Sequence, residues 1–212
     1  RTIVDVGANT GVYSLIAEAE NPQARIIAFE PVPSSFDLLC RNLHLNESRC
    51  RPECVGLSSK SGKGIIRMES IESHYSASIA DDTSSQGDEA PGLKIGIEVV
   101  DFDTYARLND LANIDLIKID VERHEPLVLM GMSNILERDR PTLVIEVLDD
   151  EVGAEIQGVL RPLDYVYFNV DEQAGLLLKS ANVSKSLTWN FICVHRARIS
   201  SNFFREFNIS GI

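Results

Sequence analysis

The sequence predicts an open α/β fold, a mostly parallel sheet with helices on both faces. Three observations carry this: short runs rich in Ile and Val alternate with helical patterns, the first run ends in a glycine turn that enters a helix, and proline stands at the first turn of two later helices. The strand runs are Thr2 to Val6, Arg25 to Phe29, Ile114 to Ile119, Thr142 to Val147, Tyr165 to Val170 and Phe191 to Val194. After the first of them, Val12, Leu15, Ile16 and Ala19 recur at helical spacing. Phe36, Leu39, Cys40 and Leu43 do the same behind Pro33, and Val128, Met132, Ile135 and Leu136 behind Pro126; each proline sits where its missing N–H leaves no bond unmade. Ser58 to Gly92 breaks the alternation. A strand-like Gly64 to Met68 is followed there by Ser73-His74-Tyr75-Ser76-Ala77-Ser78 and the acid-rich Asp81 to Glu89, which reads as a mobile lid, a substrate loop or a solvated insertion.

Composition bounds the function. The 212 residues, 44% of them hydrophobic, describe one domain over 1–212 with an insertion at 58–100 and a C-terminal tail at 197–212, and they bury enough core to fold without disulfide or metal. Lys and Arg number 20 against 32 Asp and Glu, a formal charge of −12, which argues against nucleic acid or an anionic membrane as partner. No apolar run approaches the roughly 18 residues of a membrane span. The opening residues lack the basic-then-apolar order of a leader, so a cytoplasmic setting with Cys40, Cys50, Cys54 and Cys193 reduced is expected. Sequons at Asn46, Asn182 and Asn208 keep a secretory setting open. Because Arg1 opens directly on an apolar strand, further residues are expected ahead of it, as a leader or as a region of a longer protein. The cysteine spacing forms no zinc ribbon and no metal site is legible; the chain is read as a monomer or homodimer.

The chemistry begins at Asp5-Val6-Gly7-Ala8-Asn9-Thr10-Gly11-Val12-Tyr13-Ser14. A strand, a tight turn and a helix entry build the nucleotide crevice of an open α/β sheet. The dinucleotide fingerprint needs three glycines, whereas Asn9 holds the middle position and no third glycine follows, which disfavours a nicotinamide-dependent oxidoreductase. Glu30 closes the second run, where a carboxylate accepts both hydroxyls of a ribose. Asp5 lies at the end of the first strand and would repel a pyrophosphate, while S-adenosylmethionine brings an ammonium and a sulfonium that an acidic crevice attracts. Asp120, Glu122, Glu125 and Glu146 add negative charge near the ends of two later strands, either as part of that crevice or as helix caps and solvated edges.

At this point the residues carry a resemblance. The turn from Asp5 to Ser14, then Phe29-Glu30-Pro31-Val32-Pro33, Leu43-His44-Leu45-Asn46, Asp115-Leu116-Ile117-Lys118-Ile119-Asp120-Val121-Glu122-Arg123-His124-Glu125 and Ile145-Glu146 look like the successive signatures of FkbM-type methyltransferases, resuming at Trp189-Asn190-Phe191. The resemblance implies a Rossmann-like class I methyltransferase fold: a seven-stranded, mostly parallel sheet whose seventh strand is antiparallel, with a loop or hairpin inserted after the third strand. It also implies S-adenosylmethionine as methyl donor. Gly7, Ala8, Asn9, Thr10 and Gly11 would then wrap its methionine portion, Glu30 would hold its ribose, and the end of the third strand, around Val55, Gly56, Leu57 and Ser58, would lie against its adenine, with Asp5, Tyr13, Pro31 and Asp120 completing the set. The acceptor it implies is a hydroxyl on a sugar, polyketide or other small molecule.

Methyl transfer to an alcohol needs alignment, exclusion of water and a base for the departing proton. His124 is the first candidate because imidazole titrates near the working pH, with Glu122 and Asp120 as rivals; the plain alternative for His124 is a helix cap. His44 reads as structural, and His195 ends a strand with no partner in view. Arg123, His74 and Glu146 are candidates for binding the acceptor. Arg123 departs from the family, which usually carries glycine there, so it either pairs with an anionic substrate group or with Glu122, or blocks the site. In the second case the chain is a catalytically impaired cofactor-binding module serving as an interaction domain.

Overall fold

The computed structural model describes residues 1–68, 78–80, 93–186, 188–199 and 209–210. Its elements in order are β1 (Thr2–Val6), α1 (Val12–Glu20), β2 (Arg25–Phe29), α2 (Pro33–Leu45), β3 (Arg51–Glu53), β4 (Gly56–Leu57), β5 (Gly62–Met68), β6 (Ser78–Ala80), β7 (Leu93–Val100), α3 (Phe102–Leu108), β8 (Ile114–Ile119), α4 (Glu125–Met130), α5 (Ser133–Arg138), β9 (Thr142–Glu146), α6 (Asp150–Leu160), β10 (Tyr165–Asp171), β11 (Leu176–Ser180), β12 (Asn190–His195) and β13 (Ile209–Ser210). The main sheet runs β13-β11-β10-β12-β9-β8-β1-β2-β3. From β3 to β9 the neighbours are parallel, and β12 enters antiparallel between β9 and β10. This is the expected architecture with its reversed last strand.

Two details of the strands differ from the expectation. Among the described residues the sheet has nine strands rather than seven, because the chain after β10 doubles back as β11, with β13 beside it. Asp171 makes that reversal, its Oδ1 accepting from the backbone of Gln173 and Ala174. The apolar Leu176-Leu177-Leu178 that follows carries no alternation by which sequence reasoning finds a strand. The insertion after β3 is also more than a hairpin: β4, β7, β5 and β6 form a second, four-stranded sheet, with β5 and β7 antiparallel from Gly62–Val99 to Met68–Leu93. Its Ile66, Ile97 and Val99 pack against Val32 at the start of α2, so the insertion walls the end of the main sheet.

The apolar pattern behind Pro126 gives two helices rather than one. A Cβ on Gly131 would lie 2.0 Å from the carbonyl oxygen of Ser58, and the Gly131 carbonyl accepts from Asp103 N–H at 2.9 Å, so the chain breaks where the inserted sheet begins. Main-sheet strands are buried on both faces, which is why they read as unbroken apolar runs. Val4, Ile27, Ile117 and Leu143 are all fully buried in one core. Each such side chain contributes roughly 1.5–3 kcal/mol. Phe29 meets Phe102 and Tyr105 edge-on, at ring centroids 5.9 and 4.9 Å, which fixes the end of β2 under the crevice described below. Among the described residues no helix is long and apolar enough to cross a membrane, and the four cysteines are unpaired.

Candidate active site

The ends of β1, β2 and β8, with β4 alongside, enclose a cavity of about 390 Å³. That volume lies within the range of small-molecule sites. Of the residues expected around a cofactor, Gly7, Ala8, Asn9, Thr10, Tyr13, Glu30, Pro31, Val55, Gly56, Leu57 and Asp120 line it; Glu122 does too. The turn is pinned from both sides. The N–H groups of Gly7 and Ala8 both donate to Phe29 O at 3.0 Å, and Gly7, at φ 74°, lies so close to β8 that a Cβ would sit 1.9 Å from Asp120 O.

Glu30 is only 6% exposed, and both its oxygens are held: Oε2 accepts Asn9 N–H and Oε1 accepts Val32 N–H, each at 2.9 Å. Val32 is the N-cap of α2, so Glu30 satisfies a helix-start donor and takes a fixed orientation from it. Burial pushes its pKa up, against the pull of the two N–H groups. Each oxygen retains capacity for another donor, as ribose recognition needs.

Two members of the expected cofactor set stand behind the lining. Gly11 is the N-cap of α1, away from the cavity wall. Asp5 is buried, with Oδ2 accepting Ser14 Oγ–H at 2.7 Å and Oδ1 3.6 Å from Lys118 Nζ. It ties β1 to α1 and β8. The sequence reading missed Lys118, which lines the cavity, donates to Gly7 O at 3.2 Å, pairs with Asp120 at 3.2 Å and lies 4.7 Å from the centre of the Tyr13 ring. Its signal is weak, because β8 also carries Asp115 and only coverage of both faces makes a strand lysine need paired charges around it.

On the side facing β9, Asp120, Glu122 and Glu146 each bring a carboxylate oxygen within 4.8 Å of the others. Burial, then Asp120 and Glu122, push the Glu146 pKa up to about 7. The same spacing suits bridging of a divalent cation. The turn bearing Glu122 is strained, with Glu122 at φ 52° and Arg123 at φ 75°. The buried Glu125 holds it, accepting the N–H groups of Val121 and Arg123 at 3.1 and 3.3 Å.

His124, the first candidate base, lies behind the cavity wall. Two successive left-handed residues reverse the chain ahead of it, and its ring is buried with Nε2 3.0 Å from Ser58 Oγ, outside the cavity lining. It joins the inserted sheet to the start of α4. Arg123 also departs from expectation: its guanidinium lies 2.8 Å from Asp149 Oδ2, not beside Glu122, and it does not line the cavity. Asp149 in turn caps α6 through Val152 N–H at 2.9 Å. The Arg123 side chain stays half-exposed, so this pair contributes about 0–1 kcal/mol. Glycine would relieve a left-handed strain of about 1–2 kcal/mol but give about 0.4–1 back through the unfolded chain. Arg123→Gly is therefore expected to leave the denaturation midpoint and turnover close to the parent's. A large gain in turnover would instead show that the arginine obstructs the site. His74 lies outside the described residues.

Comparison with known proteins agrees with this geometry. The profile described as the methyltransferase FkbM domain matches residues 5–167. The chain is 32% identical over 158 residues to methyltransferase sdnD of Sordaria araneosa, covering 61% of this chain and 60% of that protein. It is 32% identical over 133 residues to hexuronic acid methyltransferase AglP of Haloferax volcanii, covering 63% and 50% respectively. Identity to 31-O-demethyl-FK506 methyltransferase FkbM of Streptomyces tacrolimicus is 28% over 186 residues, covering 75% and 70%. The chain thus spans 60% and 50% of the length of the first two of these relatives. The solved methyltransferase FkbM from Methylobacillus flagellatus KT superposes with a TM-score of 0.59 at 16% identity, over 91% of this chain and 43% of that one, a likeness of fold. Since the matched stretch, 5–167, holds the glycine turn, Glu30 and all three clustered carboxylates, this chain belongs to the FkbM methyltransferase family.

Proposed function

We propose that the chain transfers a methyl group from S-adenosylmethionine to a hydroxyl of a small-molecule or carbohydrate acceptor. The observation that carries this is the adjacency of two sites at one end of the sheet: a crevice with an anchored Glu30, and a carboxylate group in which Asp120 and Glu122 belong to the crevice wall and Glu146 stands behind them, within 4.8 Å. The donor set fits the cofactor. Glu30 offers fixed acceptors for paired hydroxyls, the acidic lining attracts ammonium and sulfonium, and Phe29, Val32, Leu57 and Ile66 supply an apolar wall for a planar base. Bound there, S-adenosylmethionine supplies a carbon activated by positive sulfur.

The remaining work falls to the chain. The crevice aligns the reactants, the apolar wall excludes water, and Glu146, poised near neutrality beside Asp120, takes the hydroxyl proton as the new O–C bond forms. An oxygen acceptor is supported by the Streptomyces relative, whose name gives an O-demethyl substrate, and a sugar acid by the haloarchaeal one. The net charge of −12 supports a partner other than nucleic acid or an anionic membrane. An impaired module loses the support of Arg123, whose side chain pairs with Asp149 outside the cavity wall.

The test is parallel calorimetric titration with S-adenosylmethionine, its demethylated product and NAD, followed by mass spectrometry over hydroxylated acceptors. Saturable binding of the first two and a methylated acceptor are expected; binding of NAD alone would overturn the reading. Glu30→Ala in the same titration is expected to weaken donor binding by about 1–3 kcal/mol, the loss of hydrogen bonds to a charged group. Unchanged affinity would remove Glu30 from the site.

A further inference from the structure

We propose that Lys118 sets how strongly the crevice distinguishes the positively charged methyl donor from the neutral thioether left after transfer, an inference that rests on the S-adenosylmethionine reading above. A crevice built to attract a sulfonium carries a cation in its own wall. The Lys118 side chain is 12% exposed and its Nζ lies 3.6 Å from Asp5 Oδ1 and 3.2 Å from Asp120 Oδ2. Asp5 and Asp120 hold the ammonium protonated against the effect of its burial. Glu30, Asp120 and Glu122 bring carboxyl groups to the cavity wall and Asp5 stands behind it, an acidic surrounding that Lys118 partly offsets.

That cancellation has a kinetic use. As the methyl group leaves, the positive charge on sulfur disappears, so attraction for the sulfonium is strongest in the ground state and weakens toward the transition state. An interaction that favours the ground state slows the chemical step. Lys118 moderates it, and in doing so narrows the preference for fresh donor over product. Donor and product share every other group, so the ratio of their dissociation constants isolates the charge effect from the shape of the site.

The experiment is calorimetric titration of the parent, Lys118→Met, Asp5→Asn and the double variant Asp5→Asn/Lys118→Met with S-adenosylmethionine and its demethylated product. Lys118→Met is expected to raise the ratio of product to donor dissociation constants on the order of tenfold, the scale of one unit charge a few ångströms away in a partly solvated cleft. Asp5→Asn moves it the other way, and the double variant, with the parent's net charge, returns near the parent ratio. If the methionine variant does not fold, Asp5→Asn and the double variant carry the same test. A purely structural Lys118, clamping only Gly7 O, would weaken both ligands alike; a ratio unmoved in every variant overturns the proposal and leaves the cofactor reading standing. A folded parent that binds neither ligand overturns both.

Discussion

Glu146→Gln is expected to lower turnover by about 10²–10⁴-fold, the usual worth of a general base, with donor affinity little changed. Glu146 stands at the end of β9, where Asp120 and Glu122 crowd it and burial disfavours its charge, so its carboxyl is pushed up to about 7. A base is useful only when deprotonated. Activity of the parent should therefore rise with pH through about 7, as an apparent value belonging to Glu146 and Asp120 together. The glutamine variant should lose that limb of the profile. Stability runs oppositely: a carboxyl raised from 4.5 to about 7 holds its proton more tightly in the folded chain, so its contribution is full below about 4.5 and lost as pH rises through 7. Single-turnover rates at saturating donor check the first effect. Parent-like rates across the profile would pass the role to Glu122 or Asp120.

The sequence makes the donor side of this site legible and the acceptor side only in part. Glycine, a strand end and a closing glutamate announce the crevice because each is local: Gly7 and Glu30 finish two adjacent strands, and parallel strands bring their ends together wherever they pair. The meeting of Asp120, Glu122 and Glu146 depends on β8 lying beside β9, which the parallel alternation also foretells. Side-chain direction is what sequence does not give. His124 follows two left-handed residues, and neither Glu122 nor Arg123 is a type that announces φ above zero, so its inward turn toward Ser58 is visible only in three dimensions. Lys118 is hidden in the sequence for a related reason. A lysine in a strand usually signals a wet face, whereas this one is sunk between two carboxylates and a carbonyl. The inserted sheet was half seen. Ile66 lies in a run read as strand, but its partners Ile97 and Val99 come from beyond residues whose composition reads as loop.

Gly7→Ala is expected to abolish measurable donor binding and to destabilise the fold by about 2–4 kcal/mol, more than strain alone would give. The φ of 74° is one reason, at about 1–2 kcal/mol for a residue with a side chain. The larger one is contact: the new Cβ would stand 1.9 Å from Asp120 O, a rigid backbone atom at the end of β8 that cannot rotate away. Relief requires the ends of β1 and β8 to separate. That motion would carry Lys118, on β8, away from Asp5 and from Gly7 O, now 3.6 and 3.2 Å distant, and would shift Asp120 beside Glu146, so one methyl group disturbs both the donor crevice and the base. Gly62→Ala is the matched control, because a Cβ there meets nothing within 4 Å, and it should leave both properties near the parent's. Denaturant midpoints together with donor titration read the two effects. A Gly7→Ala protein that binds donor as the parent does would show that the turn and β8 can part without cost, and the close approach would lose its place in the account of the site.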